Sequence, residues 1–280
     1  MSKKMPLRIK KNFVYRKVWN RVYEQDNNAT FIVLGDTGSG KSSVAIKMAS
    51  DIDPSFDASR VCYDIDTFEK LAFNLKPGQA IVFDELAGSE EGADARSALS
   101  KANKRLGYIA TTFRARRLVV FYVAPFLKQI DSNIRVVGVL GILIMEGIDR
   151  VRNLARVDFR WTDNNVISGL QYRKKPRVHL GGGVCRKIRQ VWIPRPPRDL
   201  ERSYKRTKMA FLAEQKKVAE ERVKYRPKKM TIKQCVQKIL RNRDDYVVGG
   251  RVHHTRIMAE FNFGENKARN LAKLVEAEKK

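Results

Sequence analysis

Five short runs of β-branched and aromatic residues punctuate residues 30–145: TFIVL (30–34), RVCYD (60–64), AIVFD (80–84), LVVFYVA (118–124) and VVGVLGILIM (136–145). Each is apolar almost without interruption, which is what the strands of a parallel sheet covered on both faces require. Between them SSVAIKMASDI, DTFEKLAFNL and ARSALSKANKRLGYIATTFRARR place apolar residues near a 3.6-residue period and predict helices. The alternation predicts an α/β fold, with a mostly parallel sheet and helices on both faces. Next, VRNLARVDFRWTDNNVISGLQYR alternates around a DNN turn, as an antiparallel hairpin at the sheet edge does.

The pattern then changes. HLGGGVCRK and IPRPPRD are broken by Gly and Pro, and residues 199–223 read as a polar, basic helix with few core positions. From residue 231 the apolar period returns, which predicts a small all-α unit. The expected organisation is a basic N-terminal segment (1–29), the α/β domain (30–178), a basic linker and helix (179–230) and a small helical domain (231–280).

Charge narrows the choice of partner. The 280 residues carry 57 Lys and Arg against 30 Asp and Glu, a net +27, with 43% apolar residues to build a core. Residues 171–280 hold 31 basic and 11 acidic side chains, a net +20, and residues 1–170 a net +7. Such an excess points to a polyanion, and release of counterions from a phosphate backbone is the usual physical reason for it. A membrane surface also attracts cations, but the longest apolar run, 136–145, contains two glycines and is too short to span a bilayer. The N-terminus, MSKKMPLRIKKNFVYRK, is basic without an apolar core, so it does not read as a secretory signal. No membrane insertion and a cytoplasmic location are the expectations. Cys62, Cys185 and Cys235 are too widely spaced for a disulfide framework or a zinc site and read as ordinary thiols.

One loop carries chemistry. GDTGSGKSS (35–43) fits G-x-x-x-x-G-K-[ST] and sits between an apolar strand and an amphipathic helix, the setting that presents phosphates to a helix N-terminus. Gly35, Asp36, Thr37, Gly38, Ser39, Gly40, Lys41, Ser42 and Ser43 are the expected nucleotide-binding residues. The glycines let backbone N–H groups turn inward, Lys41 places a charge near the β- and γ-phosphates, and Ser42 offers an oxygen to Mg²⁺. A glycine-rich turn of purely structural purpose is the alternative. Downstream, AIVFDE ends a buried strand, expected beside the loop-bearing strand, in Asp84 and Glu85. Asp84 can hold the metal through water and Glu85 can orient or deprotonate the attacking water. An acidic pair after a strand is otherwise a solvated turn. ATP and Mg²⁺ are the expected cofactors. Arg114, Arg116, Arg117 and Arg135 are candidates for an arginine finger acting on a neighbouring subunit, or for an exposed basic face.

The ordered set GDTGSGKS, VFDE, FRARRLVVFYVAP and FLKQIDSNIR resembles the FtsK/HerA superfamily of DNA-pumping ATPases, over roughly residues 18–161. The resemblance implies a P-loop NTPase fold of the RecA-like ASCE type, with Lys41 and Ser42 as the Walker lysine and serine and Asp84 and Glu85 as the Walker B acids. It also implies a homo-oligomeric ring, usually a hexamer, that threads double-stranded DNA. Where that family often carries a polar sensor at the end of the fourth strand, this chain has Ala124 and Pro125; the nearest polar residues are Tyr122, Thr111 and Thr112.

At the C-terminus, TRIMAEFNFGENKARNLAKLVEAE reads as a helix-turn-helix. Ile257, Ala259 and Phe261 are expected to sit on the first helix, Asn262 to take the turn, Phe263 to pack back, and Ala268, Leu271 and Leu274 to be buried on the second. Asn266, Lys267, Arg269 and Asn270 would then face outward, residue types that reach base edges and phosphates. A helical hairpin packed only against the rest of the chain is the alternative. Together these features predict an ATP-hydrolysing translocase of double-stranded DNA, serving packaging, segregation or transfer. A nucleotide-switched DNA-binding regulator, loader or partition protein is the rival reading.

Overall fold

The structure, a computed structural model, describes Met5 and residues 12–84, 116–130, 134–135, 138–165, 167–168, 171–179, 184–224, 231–248, 251–261 and 263–277. The chain divides into two compact units, Met1–Glu214 and Gln215–Lys280.

The first unit is built on one sheet. Its parallel strands are β1 (Ala29–Leu34), β2 (Val61–Cys62), β3 (Ala80–Asp84), β4 (Val119–Ala124) and β5 (Val139–Asp149), in the order β5-β1-β4-β3-β2. Antiparallel strands extend it past β5: β6 (Leu154–Asn164), with β7 (Gln171–Lys174) on its C-terminal half and β10 (Val191–Pro194) on its N-terminal half. A separate hairpin pairs β8 (Arg177–His179) with β9 (Cys185–Lys187). Helices α1 (Phe13–Trp19), α2 (Lys41–Ile52) and α3 (Ile65–Asn74) accompany the sheet, and α4 (Arg198–Lys224) follows β10. This is a mixed α/β fold with a mostly parallel sheet, compatible with a P-loop NTPase.

The unbroken apolar runs have the burial they imply. Every residue of β1, β3 and β4 is buried, and successive side chains enter opposite layers. Phe31 and Val33 of β1 join one core with α2, whereas Ile32 and Leu34 join the other with α3. One expectation fails here: β3 is not next to β1, because β4 lies between them. The six fully apolar, fully buried residues of β4 suit the position flanked by strands on both sides. β5 runs on to Asp149, beyond the expected end at Met145. There it is held as an antiparallel pair with β6 across a bulge between Met145 and Gly147, so Glu146 and Asp149 broke the apolar pattern without ending the strand.

Two segments expected to be peripheral belong to the fold. Within 1–29, Asn12 caps α1 by accepting from the Val14 and Tyr15 N–H groups, and Val14, Val18 and Val22 bury a helical stripe in the core. Within 179–230, β10 joins the sheet and the start of α4 joins the core through Leu200 and Tyr204. The helix expected over 95–117 lies outside the described residues up to 115.

In the second unit, α5 (Ile232–Arg241) opens with a Thr231–Gln234 capping box and is followed by α6 (Arg243–Tyr246). A short hairpin, β11 (Val247–Val248) with β12 (Arg251–Val252), precedes α7 (His254–Phe261) and α8 (Glu265–Ala277). Ala268, Leu271, Ala272 and Val275 form the buried face of α8 at helical spacing, with Ile257 of α7 beneath them. One residue departs from the expected pattern, since Leu274 is exposed. The stripe on α8 turns onto Ala272 and Val275, and that rotation carries Leu274 outward.

Burial also sorts the cysteines. Cys62 and Cys235 are buried and Cys185 is exposed, and burial, then Asp64, pushes the Cys62 thiol well above its ordinary range. The native protein is therefore expected to show one fast thiol toward an aromatic disulfide reagent at pH 8, and three after denaturation. Two or more fast thiols would contradict this packing.

Candidate nucleotide site

The loop 35–43 leaves the C-terminal end of β1 and enters α2. Its glycines answer to local geometry. A Cβ on Gly35 would lie 2.7 Å from Met145 Cβ, and Gly40, at φ +89°, holds a left-handed conformation directly before α2. No side chain caps that helix start, so the first-turn N–H groups and the positive end of the helix dipole face the loop. Lys41 is buried, with Nζ donating to the Asp36 carbonyl at 2.9 Å, while Asp36, Thr37 and Gly38 are exposed. The Ser39 hydroxyl is buried and has no hydrogen-bond partner among the described residues. Ser43 and Gly40 border a small pocket walled by Ile148, Ala155 and Ile193.

Although β4 separates their strands, the loop and β3 meet. Ser42 Oγ donates to Asp84 Oδ1 at 2.7 Å, and Asp84 is only 1% exposed. The second carboxylate oxygen is taken by α4: Tyr204 donates its hydroxyl to Oδ2 at 2.6 Å, and Lys208 Nζ lies 3.1 Å from the same atom. Three residues further on, Phe211 stacks on Tyr63 with ring centroids 4.8 Å apart. The buried Tyr63 hydroxyl has no partner among the described residues, and burial, then Tyr204 and Asp84, raises its pKa well above the ordinary value.

Tyr204 and Lys208 are not among the residues the sequence singles out, because the density of Lys and Arg in α4 marks a polar, basic helix with few core positions. The usable signal was Leu200, Tyr204 and Phe211, which recur on one helical face within that basic stretch.

The residues present fit a magnesium-bound nucleotide. Ser42 and Asp84 supply adjacent hard oxygen donors, and Mg²⁺ typically takes one or two such protein ligands, completing its shell with water and substrate phosphate. The partnerless Ser39 hydroxyl and the uncapped helix start are donors of the kind phosphate oxygens satisfy. The Lys208 ammonium already neutralises part of the Asp84 charge, so a cation arriving at that carboxylate must share it or displace Lys208.

Other predicted residues are placed as follows. Glu85, Arg114, Thr111, Thr112 and Asn262 lie outside the described residues. Arg116 is exposed, with its guanidinium 5.7 Å from the centre of the Phe73 ring, and Arg117 pairs with Asp26. Both precede β4, and Arg135 precedes β5, so all three sit at the end of the parallel strands opposite to the loop 35–43. Across a six-residue strand that separation is about 17 Å. Tyr122 is a core residue, fully enclosed between Phe68 and Phe83. In the second unit Asn266, Lys267, Arg269 and Asn270 are all exposed on α8; Lys267 Nζ lies 4.1 Å from the centre of the Phe263 ring and Arg269 pairs with Glu265.

No protein-family model matches the chain, and no curated protein matches it. Among solved structures it is similar to the N-terminal domain of zonular occludens toxin from Neisseria meningitidis, with a TM-score of 0.31 and 13% identity, over 52% of this chain and 93% of that one. A likeness this slight assigns no family.

Replacing Tyr204 with Phe removes one of the two α4 donors to a buried carboxylate, and a hydrogen bond to a charged group contributes about 1.5–3 kcal/mol. Trp19, Trp161 and Trp192 all lie in the first unit, so tryptophan fluorescence in urea reports that unit. Tyr204→Phe is expected to lower its stability by about that amount; a change below about 0.5 kcal/mol would show that the bond contributes little.

Proposed function

We propose that the protein is an ATP-hydrolysing P-loop enzyme that acts on double-stranded DNA as a translocase of the FtsK/HerA type. The observation that carries the hydrolytic part is the 2.7 Å contact between Ser42 and Asp84, which unites a phosphate-binding loop with an acidic strand end. Lys41 and the first turn of α2 hold the phosphates. Ser42 and Asp84 hold Mg²⁺, which neutralises charge on the β- and γ-phosphate oxygens when bound. Glu85, which follows Asp84, orients the attacking water and accepts its proton.

The DNA partner is supported by the net +20 of residues 171–280 and by the exposed Asn266, Lys267, Arg269 and Asn270 on α8, read as the second helix of a helix-turn-helix. A ring of several copies is supported by the placement of Arg116, Arg117 and Arg135. At the far end of the strands from their own loop, any of them that serves a γ-phosphate serves a neighbour's. The rival reading, a nucleotide-switched DNA-binding protein, draws on the hold of Tyr204 and Lys208 on Asp84, since nucleotide state would then set the position of α4.

ATP turnover with and without random-sequence duplex DNA separates the two. The translocase reading expects stimulation by DNA, steep loss of DNA affinity with salt, and turnover reduced at least about 100-fold by Lys41→Ala or Glu85→Gln. Activity indifferent to both substitutions, or to DNA, defeats it; slow turnover with sequence-selective binding lost in Lys267→Ala/Arg269→Ala supports the switch.

A further inference from the structure

Apart from the nucleotide site, the first unit has a second concave feature. It is a cavity of about 980 Å³ bounded by α1, by the β6–β7 pair and by the β8–β9 hairpin. Its lining is unusual in charge: Lys17, Arg160, Arg173, Lys175, Arg177 and Lys187, with Lys174 beside them. Two carboxylates answer three of these. Asp163 holds Lys174 at 2.6 Å, and the buried Asp158 holds Arg160 at 2.7 Å and Lys175 at 3.5 Å. Arg173, Arg177 and Lys187 are exposed and have no carboxylate within ion-pair distance among the described residues. The cavity therefore keeps a positive charge that no carboxylate among the described residues compensates.

Two observations show that this charge is held at a cost. Arg177 and Lys187 are direct cross-strand partners in the β8–β9 ladder, and like charges opposite one another destabilise a hairpin. Lys17, whose ammonium sits 4.2 Å from the centre of the Trp161 ring, has its pKa lowered by partial burial and then by the nearby Arg21. Bringing cations together against their repulsion makes physical sense where an anion completes the set.

The shape and the aromatics say which anion. The charges line a recess, which a planar bilayer cannot enter but the projecting phosphate backbone of one strand of a duplex can. Trp161 is met edge-on by Phe13 and by Phe159, with Lys17 over its ring, so it does not offer a clear face for a stacked base. We propose that this cavity is a binding groove for the phosphodiester backbone of nucleic acid, gripped through Arg173, Arg177 and Lys187 with Lys17 at its wall. The proposal rests on the reading of the protein as a DNA-acting enzyme and adds to it a contact site in the ATPase unit itself, separate from α8.

The test uses the full chain with a labelled random-sequence duplex, measuring affinity against salt. The variant Arg173→Gln/Arg177→Gln/Lys187→Gln is set beside a charge-matched control, Lys70→Gln/Lys76→Gln/Lys128→Gln, drawn from exposed lysines outside the groove. Each lost phosphate contact lowers the slope of log K against log salt by about 0.9. The groove variant is therefore expected to lower the slope by about 1 to 3 with the control unchanged. Its melting temperature without DNA should hold or rise, because the Arg177–Lys187 repulsion is gone; a fall marks a structural role and overturns the proposal. Equal effects of the two triple variants, or none from either, overturn the groove while the wild type's own DNA binding leaves the enzyme reading intact. Wild-type protein that binds no DNA defeats both. A single-stranded arm distinguishes the source of the backbone: weaker groove-dependent binding to single strands supports duplex as the occupant, and groove-dependent binding to single strands as tight as to duplex, or tighter, overturns it. Vesicles containing phosphatidylserine form the last arm, and groove-dependent binding to them without groove-dependent DNA binding assigns the site to lipid and overturns the proposal.

Discussion

The carboxylate of Asp84 is the point on which the site depends. Buried at the end of β3, it must have its charge answered, because an unpaired carboxylate in such a position is strongly unfavourable. One oxygen is answered by Ser42 from the phosphate-binding loop and the other by Tyr204 and Lys208 from α4. A single acidic group thus ties together three segments more than forty residues apart in sequence: the loop, the strand and the helix. Whatever binds at the loop and draws on Asp84 must alter the terms on which α4 is held.

The sheet sets what else can take part. Because β1, β4 and β5 are parallel, their C-terminal ends collect the loop, and their N-terminal ends collect Arg116, Arg117 and Arg135. The antiparallel extension through β6 and β7 then carries the basic cavity along β6, whose Leu154 end borders the pocket beside the loop and whose Asp163 end lines the groove. On the readings proposed above, phosphate chemistry and polyanion binding are thereby separated along one strand, which would keep the positive charge of the groove from competing with Lys41 for the nucleotide.

Much of this was legible in the sequence, and the reasons for the rest are physical. β1, β3, β4, α2 and α3 follow from unbroken apolar runs and 3.6-residue periods, because those segments are buried whatever surrounds them. The meeting of Ser42 with Asp84 was legible too, since a loop motif and an acidic strand end imply each other. The strand order was not: a parallel sheet of similar apolar runs does not reveal which strand sits in the middle, and β4 took the place expected for β3. Segments dense in Lys and Arg concealed their apolar stripes, so α1 lies within a stretch legible only as a basic segment and the start of α4 within a basic helix with few core positions. Tyr204 and Lys208 were lost with them, and the cross-strand Arg177–Lys187 pair is invisible until the register of the hairpin is known.

The central claim is that Asp84 is a cation-dependent nucleotide ligand in competition with Lys208. Equilibrium binding of a non-hydrolysable ATP analogue, measured as Mg²⁺ is titrated, tests it most directly in wild-type, Asp84→Asn and Lys208→Met proteins. We expect Mg²⁺-dependent binding in the wild type, loss of that dependence in Asp84→Asn, and a several-fold lower half-saturating Mg²⁺ concentration in Lys208→Met. Wild-type protein that binds no nucleotide with Mg²⁺, or three superimposable titrations, would contradict the account.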